Sequence, residues 1–444
     1  MDKRIRHIFS DYGMLGVLLL LCIACSLATI SKQQPTDRWT ADRLAAKVAE
    51  EHPGGAALVV GLPNDGERTF VAAVEEGLTR RGMKVVEAVN GLPSETREAI
   101  KRAIAKGQRI DVAVASLGAS TQTVLEPKSY GSPLVEKMHV VAPRAYYWPT
   151  FLLAGNLMNI VEQVSIIAIM AIGMTLVIIS GGIDLSVGSI MALASVIVAT
   201  LILWLGGSGW VQTMNMWLAC LLTIGLCSLI GAFTGLMVTR FQVPSFIVTL
   251  SLMMSCSGLA FIISENEKGY KLPVPSQFMA LGHGKLLGVP LTVLLMLALY
   301  GLAHIILSRT VYGRHLYAVG GNEQAAFLSG IRVARVKTIA YIACAALAGL
   351  GGIIPTSIFS TGDPLTGAQY ELMVISAVVV GGTSLSGGEG KIANTLIGSL
   401  IIAVIRNAMN LAQLTDKKQM VVLGMVILGA VLIDRMKRRQ SSAG

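Results

Sequence analysis

The chain reads as mainly α: a polytopic α-helical membrane protein of about ten transmembrane helices, with a small extracytoplasmic α/β domain set into it. Three observations predict this. Between Gln163 and Thr239 the only charged side chain is Asp184. Inside that interval Ser165–Leu205 falls into two apolar runs, each approaching the roughly 20 residues a helix needs to cross a bilayer. Of 444 residues, 53% are hydrophobic and only 14% charged, far more apolar than a globular average. The formal net charge of +10 is concentrated beside apolar runs, at Lys3, Arg4 and Arg6, then Arg309, Arg314, Arg332, Arg335 and Lys337, then Arg435, Lys437, Arg438 and Arg439. That placement is the positive-inside pattern. It points to a lipid bilayer as the partner of these residues and away from nucleic acid.

Residues 1–30 are basic up to His7 and apolar from Met14 to Ile30. A cleaved signal peptide and a lipoprotein signal ending at Cys25 are the alternatives to an uncleaved helix. The length of the run and the poor lipobox Cys22-Ile23-Ala24 favour the helix, with a cytoplasmic N-terminus. Residues 31–146 change character, with 16 Lys and Arg against 14 Asp and Glu. Ala56–Gly61, Lys84–Val89 and Ile110–Ser116 read as strands, Arg68–Arg81 and Ser94–Lys106 as helices. That βαβαβ order predicts a parallel sheet flanked by helices. Tyr146, Tyr147 and Trp148 read as an interfacial belt, the alternative being a binding cage.

Residues 147–439 form the transmembrane domain. Nine spans are predicted, at about 163–180, 186–206, 213–238, 245–264, 289–308, 337–360, 370–385, 391–412 and 418–434. With residues 1–30 they make ten, which puts both termini and the short tail 440–444 in the cytoplasm and residues 31–146 outside. The 370–385 run is short and ends in glycines, so a broken or re-entrant helix is the alternative there. Cys22, Cys25, Cys220, Cys227, Cys256 and Cys344 all lie in apolar runs and read as buried inert thiols. No HExxH, no paired Cys/His ligands and no Ser/His/Asp set is present, so neither a metal site nor enzyme chemistry is predicted.

The sharpest single position is Asp184, in the hinge Gly181-Gly182-Ile183-Asp184-Leu185-Ser186. A carboxylate at a membrane helix break is expensive and usually functional. Two readings stand side by side: it caps a helix beginning at Leu185, or it gates a path together with Ser186 and Ser189. Gly181, Gly182 and Gly188 permit the bend and close packing. Leu385–Lys391, LSGGEGK, looks like the signature of an ABC ATPase and hints at a phosphate loop. Such a loop needs a glycine four residues ahead of the Gly-Lys pair and Ser or Thr after it. Leu385 and Ile392 hold those places, so the segment reads as a tight turn between helices.

AIMAIGMTLVIISGGIDLSVGSIMAL resembles the signature of the membrane permeases of bacterial ABC importers for ribose, xylose, galactose and similar sugars. Three further blocks agree in order and spacing: Gly313–Ile331 (GRHLYAVGGNEQAAFLSGI), Val378–Ile401 (VVVGGTSLSGGEGKIANTLIGSLI), and a terminal apolar span ending in DRMKRR. The resemblance covers about residues 150–439 and does not fix the sugar. It implies an inner-membrane permease subunit working by alternating access, and a homodimer or pseudo-dimer of permeases. It also implies partners, an ABC ATP-binding subunit that uses the ATP and a periplasmic sugar-binding protein, with no cofactor bound by this chain. A coupling element is implied within Arg309–Val333, with Gly313, Arg314, Gly321, Asn322, Glu323 and Ala326 as contact or positioning residues. Its plainer alternative is a generic basic loop.

Asp363 and Glu371 are candidates for docking the binding protein or lining the entrance, with solvated loop acids as the alternative. The domain at 31–146 is the main departure from the family, whose members carry a short loop there. It is similar to one lobe of the periplasmic sugar-binding proteins, and reads as a docking or regulatory module, with autonomous sugar binding as the alternative. An ion-coupled secondary transporter and a membrane-bound ligand sensor remain as rival classes.

Overall fold

The computed structural model describes residues 3–206, 209–264, 270–271, 276–415, 417–426, 428–429 and 432. The chain divides into two compact units, residues 27–152 and residues 1–26 with 153–444.

In the first unit, β1 (Ile30–Gln33) is followed by α2 (Arg38–Glu51), counting Lys3–Ala28 as α1. Then come β2 (Ala56–Gly61), α3 (Asp65–Arg80), β3 (Lys84–Asn90), α4 (Pro93–Ala105), β4 (Val112–Ala115), β5 (His139–Val141) and β6 (Tyr146–Pro149). Strands β2 to β5 form one sheet in the order β3-β2-β4-β5 with every pairing parallel. Side chains of β2 alternate between its faces. Val59 packs with Phe70, Val74 and Leu78 of α3 and with Leu44 and Val48 of α2. Leu58 and Val60 pack on the other face with Ala99, Ile100 and Ala103 of α4.

Helix α3 starts where Asn64 accepts a hydrogen bond from the Glu67 N–H. Helix α2 starts where Asp37 accepts one from Thr40. The ends of the unit meet, because β1 pairs antiparallel with β6, Ile30 opposite Pro149. The Gln33 amide donates to the Trp148 carbonyl at 3.1 Å across that pair.

The second unit is helical. After α1 it holds α5 (Ala154–Ile179), α6 (Val187–Leu205), α7 (Gly209–Arg240), α8 (Ser245–Ser264), α9 (Ser276–His283) and α10 (Leu291–Arg309). It continues with α11 (Val311–Gly321), α12 (Glu323–Leu328), α13 (Val333–Phe359), α14 (Tyr370–Val380) and α15 (Ile392–Leu411). Residues 417–426 are also helical.

Helix α13 is the axis of the bundle and packs on α5, α6, α7 and α9. Small residues let the backbones close. A Cβ on Gly173 of α5 would come within 2.5 Å of Cys344 Cα, one on Gly231 of α7 within 2.5 Å of the Tyr341 carbonyl oxygen, and one on Gly352 within 2.3 Å of the Met191 oxygen on α6. Many hydroxyls bond back within their own helices, as Thr175 does to Ala171 and Thr223 to Ala219, which satisfies them without water.

Seven helices among the described residues are long and apolar enough to span: α5, α6, α7 from Val211, α8, α10, α13 and α15. Three of the ten expected spans, within 1–30, 370–385 and 418–434, are not among these seven. The first of them holds the shorter apolar helix Gly13–Ala28. Helix α14 has 11 residues, held between Gln369 at φ +67° and a turn at Gly381-Gly382. The expected span 418–434 is helical to 426 and otherwise falls mostly outside the described residues, as do the terminal basic cluster and 440–444.

Candidate functional site at a helix break and a short-helix segment

The break between α5 and α6 builds itself from local hydrogen bonds. Gly182 N–H returns to the Val177 carbonyl and Gly181, at φ +82°, reverses the chain. Asp184 follows, only 1% exposed. Its Oδ1 accepts from the Ser186 N–H at 2.9 Å and from the Ser186 hydroxyl at 2.5 Å. The helix begins at Val187, two residues later than expected, with Ser186 at the cap position and no side-chain cap bond. The carboxylate therefore closes an Asx turn onto residue i+2 in place of capping α6. Ser189 donates to the Ser186 carbonyl at 2.9 Å, which ties it to the same turn. Cys344 of α13, fully buried, lies against the carboxylate.

Tyr341, one turn before Cys344, lies directly under the break. A Cβ on Gly182 would be 2.3 Å from its hydroxyl. That hydroxyl is buried and has no hydrogen-bond partner among the described residues. The Tyr341 ring also lines a cavity of about 1290 Å³, together with Ser180–Gly182, the α7–α8 loop from Val238 to Ser245, and residues of α12 and the start of α13. Neutral polar groups such as Thr239, Gln242 and Ser245 border it, with Arg332 and Arg335 among its cations.

The segment from Thr310 to Leu328 is a pair of short helices. Gly313 is required at the α10–α11 corner, since a Cβ there would sit 2.3 Å from the Leu307 oxygen. Arg314 is exposed. Gly321 ends α11, and Asn322 caps α12 by accepting from the Ala325 N–H at 2.9 Å. Glu323 makes an ion pair with Lys337 of α13 at 2.6 Å. Ala326 is buried, so it positions α12 from behind. The exposed face belongs to Phe327 and Leu328, 69% and 85% exposed. Sequence reasoning passed over these two, although an apolar pair ending a helical turn in a polar loop was the available signal.

Asp363 and Glu371 do not form one patch. Asp363 accepts from the Leu365 N–H at 2.8 Å and its own N–H donates to Ser195 of α6. Glu371 is half-buried against Gly188, where a Cβ would be 2.2 Å from its carboxylate oxygen. The structure thus brings Glu371 to α6, one turn beyond the Asp184 break. Among the described residues no cluster of three or more His, Cys, Asp or Glu is arranged to hold a metal.

A helical bundle with few interior charges, with a broken helix pair at its heart and a short helix presented beside a cavity, has the architecture of a membrane permease. Comparison with known proteins agrees. Residues 156–431 match the family model described as the permease component of the branched-chain amino acid transport system. The ribose import permease protein of Bacillus subtilis (strain 168) is 42% identical over 289 residues, 65% of this chain and 87% of that protein. That of Escherichia coli K12 is 39% identical over 322 residues, covering 71% and 95%. The L-arabinose transport system permease protein of E. coli K12 is 35% identical over 296 residues, covering 66% and 87%. No solved structure matches the chain. The chain belongs to this permease family: it is a membrane-embedded permease subunit of an ABC importer and not an enzyme, ATP being hydrolysed by separate subunits.

Proposed function

We propose that this subunit forms the path for a monosaccharide or related small polar solute across the bacterial inner membrane. A periplasmic binding protein delivers the solute, and ATP-binding subunits dock on the 311–328 segment. The observation that carries the reading is helix α12, which holds Phe327 and Leu328 in the open while Ala326 and the Glu323–Lys337 pair fix it to α13. Large apolar side chains held out on a rigid short helix suit insertion into a partner's groove.

In this reading two permease chains pair, both termini are cytoplasmic, and the membrane is crossed about ten times. Residues 31–146 lie outside as an α/β module that docks or regulates the binding protein. The choice of a sugar over a branched-chain amino acid rests on the ribose and arabinose permeases to which the chain is similar. It also fits a break whose single charge is surrounded by serines and a thiol, a setting for neutral hydroxylated solutes. Asp184 with Ser186 and Ser189 shapes the inner end of that path.

The test is reconstitution with a separately expressed ABC ATP-binding subunit. Co-purification, lost when Leu328→Glu is introduced, and ATP hydrolysis stimulated by sugar-loaded binding protein are the expected results. Transport without any ATPase, driven by an ion gradient, would replace this reading with a secondary transporter.

A further inference from the structure

Three segments of the membrane unit touch backbone to backbone at one point. They are the last turn of α5, the α11–α12 junction and the loop from α14 to α15. The Gly388 N–H donates to the Ile179 carbonyl, the last of α5, at 2.9 Å. A Cβ on Gly320 would lie 1.7 Å from that same oxygen. One on Gly387 would lie 2.8 Å from the Gly320 oxygen and 3.1 Å from Gly181 Cα, and one on Gly388 2.8 Å from Gly321 Cα. Gly387 and Gly388 hold φ of +84° and +75°, so glycine serves both the turn and the approach. Tyr317 of α11 pins the loop by donating its hydroxyl to the Gly390 carbonyl at 2.7 Å. Burial pushes that phenol up, away from neutral pH.

Contacts made through side chains absorb small displacements by rotamer change. Backbone pressed on backbone has no such slack, and close-packed interiors transmit strain. We propose that Gly320, Gly387 and Gly388 form a side-chain-free joint that carries movement of the 311–328 segment into the end of α5 and so to the Asp184 break, with Tyr317 as its clasp. The inference rests on 311–328 being the ATPase-facing segment. It gives the LSGGEGK turn a mechanical task in place of the nucleotide chemistry its letters suggest.

The experiment uses the complete transporter in liposomes, this chain with its ATP-binding subunit and loaded binding protein, and reads solute taken up per ATP hydrolysed. Gly320→Ala should lower that ratio about tenfold, within the range of coupling lost along such networks. Gly301→Ala on α10, outside the joint and the 311–328 segment, is the matched control, because a Cβ there meets nothing within 4 Å, and should stay within about twofold of the parent. Tyr317→Phe removes one hydrogen bond and no packing volume, so it tests the joint even where Gly320→Ala fails to fold. It should lower the ratio several-fold without changing thermal stability in proportion. A parental ratio in Tyr317→Phe, or equal ratios in Gly320→Ala and Gly301→Ala, would overturn the joint. Unchanged ATPase binding by Leu328→Glu would instead overturn the placement of the ATPase contact, whatever the ratios.

Discussion

In residues 27–152 large side chains fill the space between elements, whereas in the membrane unit glycines clear the way for helix backbones to touch. Leu58, Phe70, Leu78 and Ile100 fill the two faces of the sheet and are wholly buried. Around α13 the closest approaches fall at Gly173, Gly231, Gly235 and Gly352. Water explains the difference. A domain in water gains free energy by hiding large apolar groups. Helices in lipid gain nothing from hiding a leucine and associate through close packing. Charge follows the same division. The α/β unit wears surface ion pairs such as Arg38–Glu76, Arg80–Glu76 and Arg81–Asp42, while in the membrane unit Lys337–Glu323 joins α12 to α13.

The contrast breaks first at Phe70. Phe70→Ala should cost the α/β unit about 3–5 kcal/mol. Hydrogen exchange should show protection lost from β2 to β5 while α13 stays protected; equal loss in both would mean the units do not unfold separately. Next comes the membrane unit's counterpart, Gly231→Val, which adds volume where a Cβ would already sit 2.5 Å from the Tyr341 oxygen. It should destabilise by about 1–3 kcal/mol in detergent melts. Gly225→Ala, on the same helix with open space, should be neutral or gain about 0.5–1 kcal/mol. Similar melts for the two would refute packing by subtraction.

Asp184 sharpens the comparison. Asp184→Asn keeps an acceptor for the Ser186 hydroxyl and N–H and should retain most uptake, whereas Asp184→Ala leaves both buried without one, at about 1–3 kcal/mol. Abolished uptake by a well-folded Asn variant would show that the charge itself serves the path. The smallest effect expected is at the ion pairs. A double-mutant cycle on Lys337 and Glu323 should give about 0.2–1 kcal/mol, and one on the more exposed Arg38 and Glu76 a smaller coupling; the reverse order would separate exposure from strength.

Where a single period governed the chain, the sequence was enough. A short continuous apolar run marked β2 as a buried strand, and 3.6-residue spacing marked α3 and α4. The uncharged runs marked α5 and α6 even without a period, since both helices are buried almost all round. Short elements were less legible. Strands β1, β5 and β6 have four residues or fewer and exist through their pairing partners. Helix α2 went unread because half of its buried face is alanine. At the break, the importance of Asp184 followed from one charge in a long apolar interval, but the Asx turn did not, since an aspartate suits a cap equally well. Tyr341, Gly320 and Gly388 were invisible because their meaning lies in contacts across more than a hundred residues of chain.

The pairing of β1 with β6 has an evolutionary side. Neighbouring strands lie about 5 Å apart, so the chain enters and leaves the 27–152 unit at almost the same point. A segment with coincident ends behaves as a cassette: it can be gained or lost in one event without prying apart the framework that receives it. The same geometry makes it a natural splice point for engineers, who could exchange the unit between Gln33 and Tyr146 for a fluorescent reporter or a foreign receptor lobe and retain the two-stranded seam as the socket.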